Sequence, residues 1–153
     1  VASYTATILW ERADGEVFSD SRFSRGHSWA FDGGVVLRAS SSPHVVPRFS
    51  DPAGVDPEEA YVASLSSCHM MTFLYLAAKR AMVVDRYEDQ AEGVMEKNAS
   101  GRFWVSRVTL RPRIAWEGDA PEKSVIDDLH HLAHEECFIA NSVRTEIRCE
   151  PRD

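Results

Sequence analysis

The chain has 153 residues with a formal net charge of −7; 44% of residues are hydrophobic and 27% charged. That length and balance fit one globular domain with its own core and exclude a disordered chain. The acidic balance, without any basic stripe, excludes a general nucleic-acid binder, because phosphate contacts need clustered Lys and Arg.

In chain order, Tyr4 to Trp10 alternates and reads as a strand, Ala13-Asp14-Gly15 as a turn, and the residues around Val17 and Phe18 as a second extended stretch. His27 to Phe31 predicts a further strand, Asp32-Gly33-Gly34 a turn, and Val35 to Ala39 the strand that follows. Ser40 to Asp56 contains Pro43, Pro47, Pro52 and Gly54 and is a loop. Asp56 then stands as an N-cap before Pro57, with Glu58 and Glu59 in the first helical turn. The helix expected from Glu59 to about Met82 is apolar nearly all round, which predicts burial on every side. Strand character returns from Val83 through Tyr87 and over Ala91 to Met95; Asn98 to Gly101 is a turn, and Phe103 to Ile114 predicts one long strand. A second amphipathic helix follows Pro121, built on Val125, Ile126, Leu129, Leu132 and Ala133, and runs towards Cys137. Ser142 to Cys149 predicts the last strand. Without repeats or linkers, the expectation is a single α+β domain over 1–153.

Three cysteines are an odd number for a secreted disulfide framework and point to reactive thiols, metal binding or packing in a cytoplasmic protein. The longest apolar stretch, Met70 to Val84, carries Lys79 and Arg80 and is too short to span a bilayer; Val1 to Trp10 has no leader pattern. No Gly-rich phosphate loop occurs, so no nucleotide cofactor is expected. Cys68 sits in Ser66-Ser67-Cys68-His69, and Cys137 in Ala133-His134-Glu135-Glu136-Cys137. A thiol becomes a nucleophile when a nearby cation holds its thiolate, and Arg22, Arg25 and His27 are the candidates. Cys149 reads as a packing residue. His130, His134 and Cys137, at i, i+4 and i+7 of the second helix, form an alternative, metal-binding reading, with His27, His69 or Cys68 as a fourth ligand.

The run from Asp56-Pro57-Glu58 to Cys68, followed by the Ala133 to Cys137 motif, resembles the osmotically induced / organic hydroperoxide resistance (OsmC/Ohr) superfamily, and the likeness extends over nearly the whole chain. It implies N-terminal antiparallel strands, a long buried central helix, a second sheet with a C-terminal helix and strand, and an intertwined homodimer. It also implies a thiol peroxidase acting on organic hydroperoxides: Cys68 attacks and becomes a sulfenic acid, and Cys137 resolves it as a disulfide. Glu58 would orient an arginine, Arg25 by position, against the Cys68 thiolate. No bound cofactor or metal is implied; the reductant would be a lipoyl-type or other small dithiol. Here Phe138 follows Cys137 where the peroxidase branch has proline, while Met70, Met71, Phe73 and Tyr75 are candidates to line a pocket for an alkyl hydroperoxide. A family member without peroxidase activity, serving as a binding or structural dimer, is the other alternative.

Overall fold

Turn residues and apolar spacing set the hairpins and helices of this chain, and a parallel strand pairing late in the chain completes its second unit. The structure, a computed structural model, describes residues 1–152. It is an α+β fold that divides into two compact units, Val1–Ala60 and the residues from Tyr61 onward.

In the first unit, strands β1 (Ala6–Leu9), β2 (His27–Phe31) and β3 (Val36–Ala39) form an antiparallel sheet in that order, with Trp29 opposite Ile8 on one side and Leu37 on the other. The β2–β3 hairpin closes through Asp32-Gly33-Gly34. Gly34 takes φ 85°, a region open to glycine, and its N–H donates to the Phe31 carbonyl. The segment around Val17 and Phe18 is not a strand. It turns, and Phe18 stacks on Phe23 with ring centroids 4.5 Å apart while Trp10 packs edge-on to Phe23. Aromatic packing thus took the residues whose β propensity suggested a strand. The loop after β3 returns onto it: Val55 bridges Ala39, and a Cβ at Gly54 would lie 2.9 Å from the Ala39 carbonyl carbon, so glycine is needed there.

Helix α1 (Pro57–Lys79) starts on a reciprocal cap. The Glu59 N–H donates to Asp56 Oδ1 at 2.7 Å, and the Asp56 N–H to Glu59 Oε2 at 3.3 Å, a capping box in Asp-x-x-Glu form. The helix ends three residues before the expected Met82. Ala81 adopts φ 56°, the Met82 N–H donates to the Ala77 carbonyl and the Ala81 N–H to that of Ala78, a Schellman closure made without glycine.

In the second unit, β4 (Val84–Asp89) pairs with β7 (Pro112–Trp116), and β5 (Glu92–Lys97), β6 (Phe103–Leu110) and β8 (Glu146–Cys149) form a second sheet. The β6–β8 pair is parallel, and α2 (Lys123–Glu136) lies in the crossover between them. The single strand expected over Phe103 to Ile114 breaks at Arg111, whose N–H leaves the ladder to donate to Asp89 Oδ1 at 2.6 Å. The last strand starts at Glu146 rather than Ser142, because Ala140–Ser142 coil into a 3₁₀ turn. Within one chain the buried residues of α1, Leu65, His69, Phe73 and Ala77, recur every fourth position, and Met71 and Tyr75 are exposed. Phe73 and Ala77 pack on Leu129 and Ala133 of α2, and Leu65 packs on Val108 and Leu110 of β6. No helix among the described residues is long and apolar enough to cross a membrane.

Candidate active site

Adjacent residues on α1 point about 100° apart, so Cys68 and His69 open onto different surroundings. Cys68 is half-buried. Its carbonyl accepts the Thr72 hydroxyl at 2.9 Å, a bond made inside the helix that leaves the sulfur free. Cys137 is the C-cap of α2, with ψ 114°, so the chain leaves the helical line at that residue. Its side chain is buried and neighbours Cys68. The sulfur accepts the Ala140 N–H at 3.4 Å, and Asn141 fixes the turn by donating its side-chain amide to the carbonyls of Glu135 and Cys137 at 2.8 and 3.1 Å. Burial, followed by the contact with Cys68, pushes the Cys137 thiol up to about 11. Two thiols of unequal environment therefore face each other, the more buried one held as S–H.

Beside Cys68 opens a cleft of about 580 Å³ lined by Cys68, Met71, Thr72, Tyr75, Glu136, Phe138 and Asn141. Met71, Tyr75 and Phe138 give it a mainly apolar wall, and no Lys or Arg among the described residues lines it. Of the expected pocket residues, Met71 and Tyr75 line the cleft, whereas Phe73 is wholly buried in the core against α2.

The first unit holds the proposed cations. Arg25 lies over the Phe23 ring at 3.6 Å and donates to the carbonyls of Phe23 and Ser21. Glu58, half-buried in the first turn of α1, makes no ion pair with Arg25 among the described residues. His27 has both ring nitrogens engaged: Trp29 Nε1–H can only donate, so Nε2 accepts it at 2.9 Å, and Nδ1 faces the Arg25 carbonyl at 2.8 Å. His27 is a structural link rather than a free cation.

On its own side of α1, His69 Nε2 meets His130 Nδ1 at 3.1 Å, with Cys149 Sγ 3.9 Å from the same His69 nitrogen. Burial, then the charge of the neighbouring histidines, pulls the imidazole of His69 down to about 4; burial, partly opposed by Asp127, pulls down that of His130 to about 4. Both rings are neutral at ordinary pH. The helical set His130, His134 and Cys137 is not gathered, because Cys137 has already left the helix and turned to Cys68. The His69–His130 pair has no local signature, since its members lie 61 residues apart; the available signal is a histidine on the apolar side of each helix.

A long helix bearing one cysteine, closed by a second cysteine at the end of another helix, defines a two-thiol α+β protein. The family model of the OsmC-like proteins matches residues 50–152, and the chain belongs to that family. Among solved structures, an OsmC-like protein of unknown function from Vibrio cholerae is 49% identical with a TM-score of 0.96, covering 99% of this chain and 100% of its own. The organic hydroperoxide resistance protein OhrB of Bacillus subtilis is 18% identical with a TM-score of 0.70 over 99% of this chain and 98% of its own. An OsmC-like protein from Mycoplasma pneumoniae is 15% identical with a TM-score of 0.74 over 99% and 96%. No curated protein matches the sequence.

Proposed function

We propose that the protein is a cysteine-based peroxidase that reduces organic hydroperoxides. The observation that carries the reading is the placement of Cys68 against the buried Cys137 beside an apolar cleft. The Cys68 thiolate attacks the terminal peroxide oxygen; an S–O bond forms, the O–O bond breaks, and the alkoxide takes a proton and leaves as the alcohol. The Cys137 sulfur then attacks the sulfenic sulfur, the S–O bond breaks, and the hydroxide leaves with the thiol proton as water. A small dithiol, of lipoyl type or similar, returns two electrons to the Cys68–Cys137 disulfide and is itself oxidised to a disulfide. Met71, Tyr75 and Phe138 suit the alkyl portion of the substrate better than they suit hydrogen peroxide.

The cleft brings no cation of its own, so the reading assigns the cation to Arg25 and its orientation to Glu58. A homodimer accompanies it, supported by the exposure of Met71 and Tyr75 on α1.

The test is consumption of cumene hydroperoxide with dithiothreitol in excess. Cys68→Ser abolishes turnover; Cys137→Ser, assayed with no thiol present, consumes one equivalent and accumulates a sulfenate that dimedone traps. Arg25→Ala slows the first step more than Arg25→Lys does. Undiminished turnover by Cys68→Ser would overturn the reading, and so would an inert parent protein, which would leave the binding-dimer alternative in its place.

A further inference from the structure

His69, His130 and Cys149 take no part in the peroxide chemistry proposed above, yet they form the only group of three metal-ligand side chains gathered among the described residues, with donor atoms all within 4.8 Å of one another. Two are fully buried and the third half-buried. A simple pair of core histidines does not account for the cluster. The His69–His130 contact uses one nitrogen of each ring, and His130 Nε2 remains buried without a partner. An unpaired buried polar atom costs about 1–3 kcal/mol, which the pair alone leaves in place; the nitrogens that face each other and could share an ion are His69 Nε2 and His130 Nδ1.

The spacings favour an ion. A tetrahedral zinc with bonds of about 2.0–2.1 Å to nitrogen and about 2.3 Å to sulfur sets its ligands about 3.3 Å apart for two nitrogens and about 3.6 Å apart for nitrogen and sulfur. Here the nitrogens stand 3.1 Å apart and the sulfur 3.9 Å from His69 Nε2. These two edges need a change of a few tenths of an ångström, and the third, between His130 and Cys149, is within 4.8 Å. The ring planes differ by 8°, so the two nitrogens face each other as a hydrogen-bonded pair. Metal uptake replaces that shared hydrogen and requires the rings to swing about χ2. A cavity of about 310 Å³ opens onto the cluster, lined also by Asp127 and His134. Asp127 is held by Lys123 at 2.6 Å, whereas the exposed His134 makes no side-chain bond among the described residues.

We propose that His69 Nε2, His130 Nδ1 and Cys149 Sγ bind a divalent transition-metal ion of the zinc type, with His134 or a water as the fourth donor. Binding displaces the Cys149 thiol proton to water and moves the His130 proton to Nε2; no electron is transferred. Two imidazoles and a thiolate select zinc or cobalt over magnesium or calcium. The site joins α1, α2 and β8, so the ion would tie the last strand to both helices.

The experiment is a titration of the full-length reduced protein with Co²⁺, read by absorption. One equivalent is expected to bind with the visible bands of tetrahedral cobalt and a near-ultraviolet thiolate-to-cobalt band. The Cys68→Ser/Cys137→Ser double variant, with Cys149 as its only thiol, keeps both signals. Cys149→Ser loses the thiolate band, and His69→Gln or His130→Gln weakens binding by more than the roughly 10–100-fold that loss of a supporting group costs. Failure of the parent to bind, binding without a thiolate band, or a band lost in the double variant would each overturn the proposal. The last outcome would assign the metal to the Cys68–Cys137 pair. None of these readouts depends on peroxidase activity, and the double variant answers the question even if Cys149→Ser does not fold.

Discussion

Replacing Gly93 by alanine should destabilise the protein in the parent and stabilise it once Val62 is trimmed. Gly93 lies on β5, and a Cβ there would stand 2.6 Å from Val62 Cγ2, with Val105 and Val108 methyls at 3.6 and 3.9 Å. The first spacing is about 1 Å shorter than a relaxed carbon–carbon contact. Val62 sits on α1, where a β-branched side chain has one strongly preferred rotamer, so the methyl cannot swing aside. Overpacking of this kind costs about 1–3 kcal/mol. Against it, alanine gains about 0.5–1 kcal/mol over glycine in a strand through the unfolded chain. The expected net loss in the parent is therefore about 1–2 kcal/mol. In a Val62→Ala background the clashing methyl is gone, and the same substitution becomes neutral or favourable by up to about 1 kcal/mol. Urea denaturation of the parent, both single variants and the double variant closes the cycle. Because Val62 is six residues before Cys68 on the same helix, iodoacetamide labelling of Cys68 should change in Gly93→Ala and recover in the double variant. A coupling below about 0.5 kcal/mol would show that β5, an edge strand, simply moves outward, and would refute the rigid seating of α1 on β5.

Ala81→Gly should raise stability by about 0.5–1 kcal/mol, since alanine at φ 56° carries about 1–2 kcal/mol of left-handed strain, offset in part by glycine's extra unfolded freedom; a thermal melt measures it, and a lower Tm would contradict the Schellman assignment. Asp89→Ala should cost about 1–3 kcal/mol by urea denaturation, because it strands both the Ser66 hydroxyl and the Arg111 N–H that Asp89 accepts. The Cys137 thiol, raised to about 11 in the folded protein from 9.0, contributes stability that is fully present below pH 9 and is lost as pH rises through 11. Urea midpoints should therefore fall more steeply over that range in the parent than in Cys137→Ala, and parallel curves would remove the buried environment assigned to this sulfur.

What was legible in the sequence was local. Asp56 capping α1 and the Asp32-Gly33-Gly34 hairpin each depend on residues a few positions apart and stand where turn and cap chemistry put them; the two cysteine motifs were legible through the family resemblance. What escaped depended on partners far along the chain. Phe18 left the strand pattern to stack on Phe23, Arg111 broke a strand for Asp89, and His69 met His130, none of which has a spacing rule to announce it. The all-round apolar character of α1 is only partly accounted for within one chain, which buries one stripe and exposes Met71 and Tyr75. The cation proposed for Cys68 has no local signature either, and Arg25 engages Phe23 and two carbonyls of its own segment.

The parallel pairing of β6 with β8 has a bearing on how the chain acquires its chemistry. Arg107 pairs with Glu146 and Leu110 with Cys149, so everything between them, α2 and Cys137 included, is a loop that must close before the sheet is complete. Hairpins β2–β3 and β5–β6 close over short spans and form early; this closure carries the entropy of a long excursion and comes late. Until it happens, the turn that presses Cys137 against Cys68 has no strand to anchor its far side. On this ordering the contact of Cys137 with Cys68 is assembled with the last strand, so a chain early in folding keeps the two sulfurs apart.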